Sequence, residues 1–269
     1  MTLPGETVRS TLDAARVEGR AALIGYLPAG FPSVTASIGL LREMVSAGAD
    51  VLEVGLPYSD PVMDGPTIQA AAQHALCGGT RTSDVLRVVE AVAELAPTLV
   101  MTYWNPVERY GVERFAADLS SAGGAGLITP DLIPDEAAEW VDVADRHRLD
   151  KVFLVAPSST PHRLALTSDA CRGFVYAAAV MGVTGARDST SGVAPDLVRR
   201  VRDVTDKPVG VGLGVSNGAQ AAEVAAYGDA VIVGSAFVRC ALDAADESSA
   251  RSAIAALTTD LSHGVRGKR

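Results

Sequence analysis

Residues 51–69 read VLEVGLPYSDPVMDGPTIQ, which is an apolar strand followed by a proline-rich loop. Glu53 interrupts the strand, and a carboxylate among apolar side chains is costly unless it is paired or protonated. A glycine and a proline then end the strand, and the loop carries two more acids, Asp60 and Asp64. Such acids can be ordinary turn residues or a solvated strand end. Together they are also typical of a site built where the strands of a barrel end.

The rest of the chain repeats the unit of a short apolar strand followed by a helical pattern. The apolar runs are continuous rather than alternating, as expected for parallel strands that are buried on both faces. Eight such units predict an α/β fold of the TIM (β/α)8 barrel type; a doubly wound open sheet is the alternative, but it does not need eight regular units. The expected strands are 22–27, 51–54, 98–103, 126–129, 151–156, 174–179, 208–213 and 230–233.

One domain is expected over residues 1–269, with an N-terminal helix at about 7–18 and closing helices at 235–261. The 269 residues are 48% hydrophobic, which suffices for one large core. Barrels of about 250 residues commonly form a single domain. Between the second strand and a helix at 83–95 we expect a long loop.

The composition excludes several classes of protein. A formal net charge of −9 without a basic stripe argues against a nucleic-acid binder. The three cysteines are scattered, which argues for a reducing compartment, and the four histidines lack ligand spacing, so no metal site is expected. The first residues contain no apolar core of a signal peptide, and no apolar run reaches the roughly 18 residues of a membrane span. A cytoplasmic protein is therefore expected.

Glycine-rich turns follow the last two expected strands. Gly212 and Gly214 come after strand seven, and Gly234 and Ser235 come after strand eight. Backbone N–H groups approach an anion closely where no Cβ intervenes, and a helix N-terminus adds its dipole. The pair of turns predicts a site for a phosphorylated ligand, although glycines needed only for tight turns are the alternative.

No lysine stands at the end of an expected strand as a Schiff-base nucleophile would. Lys151 begins its strand at the opposite end, and Lys207 precedes Pro208. Without such a lysine and without metal ligands, acid–base chemistry by carboxyl groups is left, and Glu53 and Asp64 are the plausible pair. We expect the apolar neighbours of Glu53 to raise its pKa, so that it holds a proton near neutral pH.

The pattern E-x-G-x-P-x-S-D-P-x-x-D-G-P-x-I-Q closely resembles the signature of the tryptophan synthase alpha subunit family. The stretch Gly182-Val183-Thr184-Gly185 matches a second motif of that family, and the resemblance runs from about Leu23 to about Ser235. It implies a lyase that cleaves indole-3-glycerol phosphate by a retro-aldol step into indole and glyceraldehyde 3-phosphate. It also implies no cofactor in this chain, and a beta-subunit partner that holds pyridoxal phosphate and receives the indole in a complex of two alpha and two beta chains.

The same resemblance assigns roles to single residues. It makes Glu53 the glutamate that protonates the indole ring carbon and takes the glycerol hydroxyl proton, Asp64 the hydrogen-bond acceptor of the indole N–H, and Tyr176 a further site residue. The other implied positions are loop closure by Gly182 and Thr184, phosphate binding by Gly185, Gly212, Gly214, Gly234 and Ser235, an indole pocket of Tyr26, Tyr103, Leu127 and Phe153, and a partner surface of Pro57, Asp60, Pro61 and Asn105.

Several alternatives remain beside this interpretation. Core packing explains Leu127 and Phe153 better than a place in the pocket does. The chain departs from the family pattern at Met63 and at Val180 and Met181, which concerns loop dynamics more than the reaction. A sugar-phosphate epimerase would need metal-binding histidines, and indole-glycerol-phosphate synthase would need strand-end lysines. A non-catalytic regulatory subunit is a third possibility, against which the intact carboxylate pair argues.

Overall fold

The strands form a closed barrel. The computed structural model describes residues 7–178 and 193–267, and in this part of the chain eight strands pair in parallel in chain order. The first strand closes the ring against the eighth, with Ile24 beside Ile232. The prediction of a TIM barrel is confirmed, and the alternative of a doubly wound open sheet is wrong. The strands are β1 (Ala22–Pro28), β2 (Val51–Gly55), β3 (Thr98–Met101), β4 (Gly126–Thr129), β5 (Asp150–Val155), β6 (Val175–Ala178), β7 (Val209–Gly212) and β8 (Ala230–Val233).

Helices cover the outside of the barrel between successive strands. None in the described residues is both long and apolar enough to cross a bilayer. In chain order they are α1 (Val8–Val17), α2 (Val34–Ala47), α3 (Pro66–Cys77), α4 (Thr82–Val92), α5 (Trp104–Tyr110), α6 (Val112–Ser121), α7 (Ala138–Arg146), α8 (Pro161–Ala170), α9 (Val193–Arg202), α10 (Gly218–Ala225), α11 (Ser235–Asp243) and α12 (Glu247–Val265).

Helix α3 lies where the sequence predicts a loop. Its first residue is Pro66. Proline suits the first position of a helix because an N–H there would have no partner within the helix, so nothing is lost when it is missing. The buried face consists of Ile68 and three alanines. Because alanine is only mildly apolar and a further alanine, Ala70, is exposed, this face gives a weak helical pattern. The helix directly follows Asp64, and it therefore holds the end of the loop that carries the predicted site.

The strand side chains alternate between two cores. Those that point outward pack against the helices, and those that point inward fill the barrel. Val8, Leu12 and Ala15 of α1 belong to the inner core, so α1 closes the floor of the barrel at the amino ends of the strands. The opposite end remains open. The inward-facing residues above this floor are Ile24, Val51, Leu99, Ile128, Val152, Phe174 and Ile232.

Candidate active site

A cavity opens at the carboxyl ends of the strands. The cavity brings together residues from both halves of the sequence, as the carboxyl end of a barrel does. Those that the sequence predicts as site residues are Tyr26, Glu53, Asp64, Tyr176, Gly212, Gly214, Gly234 and Ser235.

Glu53 projects inward from β2 and is only 1% exposed. Its Oε1 atom has no hydrogen-bond partner within the protein. Burial raises the pKa of Glu53 to about 8, because a charged carboxylate loses its hydration there. The expectation of a raised pKa is therefore confirmed. At neutral pH the side chain therefore holds its proton, and after giving it up it is a stronger base than an ordinary carboxylate.

Asp64 lies across the cavity on the loop between β2 and α3, where it is partly buried. Burial raises the pKa of its carboxyl group, and a hydrogen bond from the Tyr103 hydroxyl lowers it in part. The backbone of Asp64 is also held, since Gln69 Nε2 donates to its carbonyl oxygen at 2.7 Å. The two carboxyl groups therefore differ in environment, one apolar and one hydrogen-bonded, which separates their chemical roles.

Two tyrosines stand beside Glu53, Tyr26 from β1 and Tyr176 from β6. Burial raises the pKa of both hydroxyls, and the charges of nearby carboxylates raise it further, so both are hydrogen-bond donors at neutral pH. Each hydroxyl needs a glycine opposite it. A Cβ at Gly212 would lie 2.5 Å from the Tyr176 hydroxyl oxygen, and a Cβ at Gly55 would overlap the hydroxyl of Tyr26.

The two glycine-rich turns that follow β7 and β8 line the cavity together. Gly214 has a φ of +79°, a conformation that other residues adopt only with strain. Helix α11 begins at Ser235 after Gly234, and no side chain caps its first turn. The first N–H groups of a helix have no partner within the helix, and its dipole places positive charge at this end. A glycine turn beside a helix N-terminus is the arrangement expected of an anion site, so the two turns are compatible with the site predicted from the sequence.

The whole chain matches known proteins of one family. The family model of the tryptophan synthase alpha chain matches residues 12–265. This chain belongs to the tryptophan synthase alpha chain family. The alpha chain of Acidothermus cellulolyticus is 60% identical over 267 residues, which are 99% of this chain and 98% of that one. The alpha chain of Salinispora arenicola is 61% identical over 255 residues, 94% of this chain and 96% of that one.

A solved structure supports the same assignment. A chain of Mycobacterium tuberculosis tryptophan synthase superposes with a TM-score of 0.92 at 55% identity, over 97% of this chain and 100% of that chain. Membership in the tryptophan synthase alpha chain family makes the protein a carbon–carbon lyase that cleaves indole-3-glycerol phosphate into indole and glyceraldehyde 3-phosphate. It also implies a tryptophan synthase beta subunit as partner. Another barrel enzyme and a regulatory subunit are not favoured.

Two residues that the alpha-chain resemblance places in the indole pocket lie elsewhere. Leu127 of β4 and Phe153 of β5 are fully buried in the outer core against the helices. Their neighbours Ile128 and Leu154 face inward instead. Because side chains alternate along a strand, a shift of one residue moves a side chain to the opposite face. The assignment of Leu127 and Phe153 to the pocket is therefore corrected to core packing.

The apolar wall of the alpha-chain cavity comes from other residues, which the sequence did not single out. These are Met63, Ile68, Met101, Leu154 and Ile232. Tyr103 lies behind Asp64 rather than on the cavity wall, and Gly182, Thr184 and Gly185 fall outside the described residues.

The expected partner surface is formed only in part by the predicted residues. Asp60 and Asn105 are exposed at the mouth, and Pro61 is partly exposed. Pro57 is buried, so it supports the loop from below and offers no surface to a partner. This corrects the prediction for Pro57.

The described lysines lie away from the alpha-chain cavity. Lys151 Nζ forms an ion pair with Asp145 at 2.7 Å. Lys207 Nζ donates to three backbone carbonyl oxygens, among them that of Cys171 at 2.7 Å. Within residues 7–178 and 193–267, no three His, Cys, Asp or Glu side chains are grouped to hold a metal ion.

Proposed function

We propose that Glu53, Asp64 and Tyr176 carry out the cleavage of indole-3-glycerol phosphate in this chain. The observation that carries the proposal is the place of Glu53, a buried carboxyl group with an unpartnered oxygen on the cavity wall. Burial there raises its pKa to about 8, which keeps it protonated at neutral pH. To break the bond between the indole ring and the glycerol chain, a proton must be delivered to carbon and another removed from a hydroxyl. A carboxyl group poised near neutral pH suits both tasks.

The reaction begins with transfer of the Glu53 proton to the ring carbon that carries the glycerol chain. Positive charge then develops on the ring nitrogen, and the Asp64 carboxylate stabilises it by accepting a hydrogen bond from the indole N–H. Glu53, now a carboxylate, takes the proton of the adjacent glycerol hydroxyl. The carbon–carbon bond breaks, its electrons restore the indole ring, and the hydroxyl carbon becomes the aldehyde of glyceraldehyde 3-phosphate. Glu53 ends the cycle protonated, as it began.

The remaining residues hold the substrate. The hydroxyl of Tyr176 stands beside Glu53 and stabilises its carboxylate form between the two proton transfers. Tyr26 and the apolar wall accommodate the indole ring. The substrate phosphate lies against the turns at Gly212, Gly214, Gly234 and Ser235. The family pattern alone assigns Gly185 to the phosphate site, and it assigns Gly182 and Thr184 to the closure of a loop over the substrate.

The assembly is proposed on the same basis. Two alpha and two beta chains form the complex, the beta chain holds pyridoxal phosphate, and it receives indole from the mouth of the barrel. Asp60, Pro61 and Asn105 stand at that mouth. No cofactor is needed in this chain, since Glu53 supplies both proton transfers and Asp64 stabilises the charge on the ring. The scattered cysteines support a cytoplasmic location.

The first experiment is indole release from indole-3-glycerol phosphate by the purified full chain, with and without a beta subunit. Slow release that rises with the partner is expected. No release in either case, from a folded protein, would contradict the assigned site residues.

The substitution Asp64→Asn is expected to lower kcat for this cleavage by about 10- to 100-fold. The amide still accepts a hydrogen bond, but it lacks the negative charge that stabilises the protonated ring. Asp142→Asn, an exposed change on α7, serves as the matched control and should leave kcat unchanged. Full activity of Asp64→Asn would remove Asp64 from the mechanism.

The substitution Gly234→Ala tests the phosphate site. A Cβ there would meet Tyr26 at no less than 3.4 Å, an ordinary contact, so the fold should tolerate it. We expect KM to rise roughly tenfold and kcat to stay within about twofold, because the methyl group stands between the phosphate and the backbone donors. Gly78→Ala at the end of α3 has similarly ordinary contacts of 3.4 Å and should change neither constant. If KM is unchanged in Gly234→Ala, the substrate phosphate does not bind at the turn of Gly234.

A further inference from the structure

A group of contacts joins the exposed rim of the barrel to Asp64. It begins at Tyr103, whose hydroxyl oxygen accepts a hydrogen bond from the backbone N–H of Met63 at 3.0 Å. The same hydroxyl forms a hydrogen bond with the Asp64 carboxylate. One hydroxyl thus holds both the backbone and the side chain of the loop at the cavity.

Tyr103 is itself held firmly. It is 5% exposed and is the N-cap residue of α5. The next residue in the chain, Trp104, donates its backbone N–H to both carboxylate oxygens of Asp131, at 2.9 and 3.1 Å. The start of α5 is therefore anchored to the loop after β4. A buried tyrosine on an anchored backbone has little freedom to move, so it is suited to fix a partner group.

Tyr58 extends the contacts to the surface. Its ring packs against that of Tyr103, with 5.3 Å between the ring centroids and an angle of 36° between the planes. Its hydroxyl accepts a hydrogen bond from Nδ2 of the exposed Asn105 at 3.1 Å. The contacts therefore run from Asn105 through two aromatic rings to Asp64, and they tie together the loops that follow β2 and β3.

We propose that Tyr103 is a positioning residue of the lyase, which holds the Asp64 carboxylate towards the indole nitrogen, and that Tyr58 and Asn105 link this position to the rim. The inference rests on the role proposed for Asp64. Burial raises the pKa of Tyr103 to about 12, and the charge of Asp64 adds to the rise, so the hydroxyl stays protonated and donates. A displacement of about 1 Å at a reacting group can lower a rate by as much as 100-fold.

The test compares three tyrosine-to-phenylalanine variants of the full chain. Tyr103→Phe is expected to lower kcat about tenfold and to leave KM within about twofold, because the indole ring still binds. Tyr58→Phe keeps the ring contact and loses only the bond to Asn105, so kcat should fall about two- to fivefold. Tyr110→Phe is the matched control, since that hydroxyl donates to Asp118 at 2.7 Å on the outer surface. Its kinetics should not change.

The pH profile separates positioning from a general structural role. The Tyr103 hydrogen bond lowers the pKa of Asp64, so its loss should move the acidic limb of kcat to higher pH. Among the described residues, Tyr26 is a second titratable group that interacts with the charge of Asp64, and it is unchanged in all three variants.

Three results overturn an assignment. Unchanged kcat in Tyr103→Phe, with Asp64→Asn impaired, overturns the positioning role alone. Equal losses in Tyr103→Phe and Tyr110→Phe also overturn it, because the effect would then not be specific to Asp64. Full activity in Asp64→Asn overturns the role of Asp64 itself, whatever the tyrosine variants show.

Discussion

Replacing Glu53 with glutamine is expected to lower kcat for cleavage of indole-3-glycerol phosphate by about 10³-fold. Glutamine fills the same space but neither delivers a proton to the ring carbon nor accepts one from the hydroxyl. General acid–base catalysis by a positioned group contributes roughly 10²–10⁴-fold to a rate, and the expected loss is the middle of that range. The measurement is the rate of indole release at saturating substrate, beside that of Glu90→Gln, an exposed change on α4.

The wild-type protein should also show the ionisation of Glu53 in its pH profile. Because the protonated side chain starts the reaction, kcat should fall about tenfold per pH unit above a pH near the pKa of about 8. Activity in Glu53→Gln above about a tenth of wild type, or a flat profile to pH 10, would assign the proton transfers to another group.

The same substitution should stabilise the folded protein at neutral and higher pH. The pKa of Glu53 is about 8 in the folded chain against a usual value of 4.5. Below about pH 4.5 the group is protonated in both states, and its ionisation affects neither. Between the two values the unfolded chain releases the proton while the folded chain keeps it, so the wild type loses stability as the pH rises, and the loss is complete above about pH 8.

Glutamine does not titrate and escapes this loss. The free energy of unfolding of Glu53→Gln should exceed that of the wild type by on the order of 3 kcal/mol at pH 7 and by little near pH 4.5. Urea unfolding at a series of pH values measures the difference, in which the other carboxyl groups cancel. Glu90→Gln provides the baseline. A gain that does not vary with pH would mean that the ionisation of Glu53 is not its cause.

The fold follows largely from the pattern of apolar runs. Each of the eight expected strands is present, and β4 has the expected bounds of Gly126–Thr129. Helix α3 could not be predicted in this way, because its alanine-rich face gives little contrast. Helix α5 has only seven residues, of which Val107 alone is buried, so it too lacks a periodic signal.

The candidate site was predictable where a residue is chemically out of place. Glu53 is a carboxyl group within an apolar strand, and that anomaly marks it without any structure. Leu127 and Phe153 offer no such mark, because strands that are apolar on both faces do not reveal which side chain points inward. The contact between Tyr103 and Asp64 joins residues from separate loops, which the parallel pairing of β2 with β3 brings together.

Helix α1 closes the floor of the barrel, and this affects how substrate enters the cavity and how products leave it. Among the described residues the cavity opens at the carboxyl ends of the strands, so we expect indole to leave at the same end of the barrel where its precursor enters. A beta subunit bound at this end would receive the indole. The rate at which it takes up indole would then limit the rate at which the barrel binds new substrate.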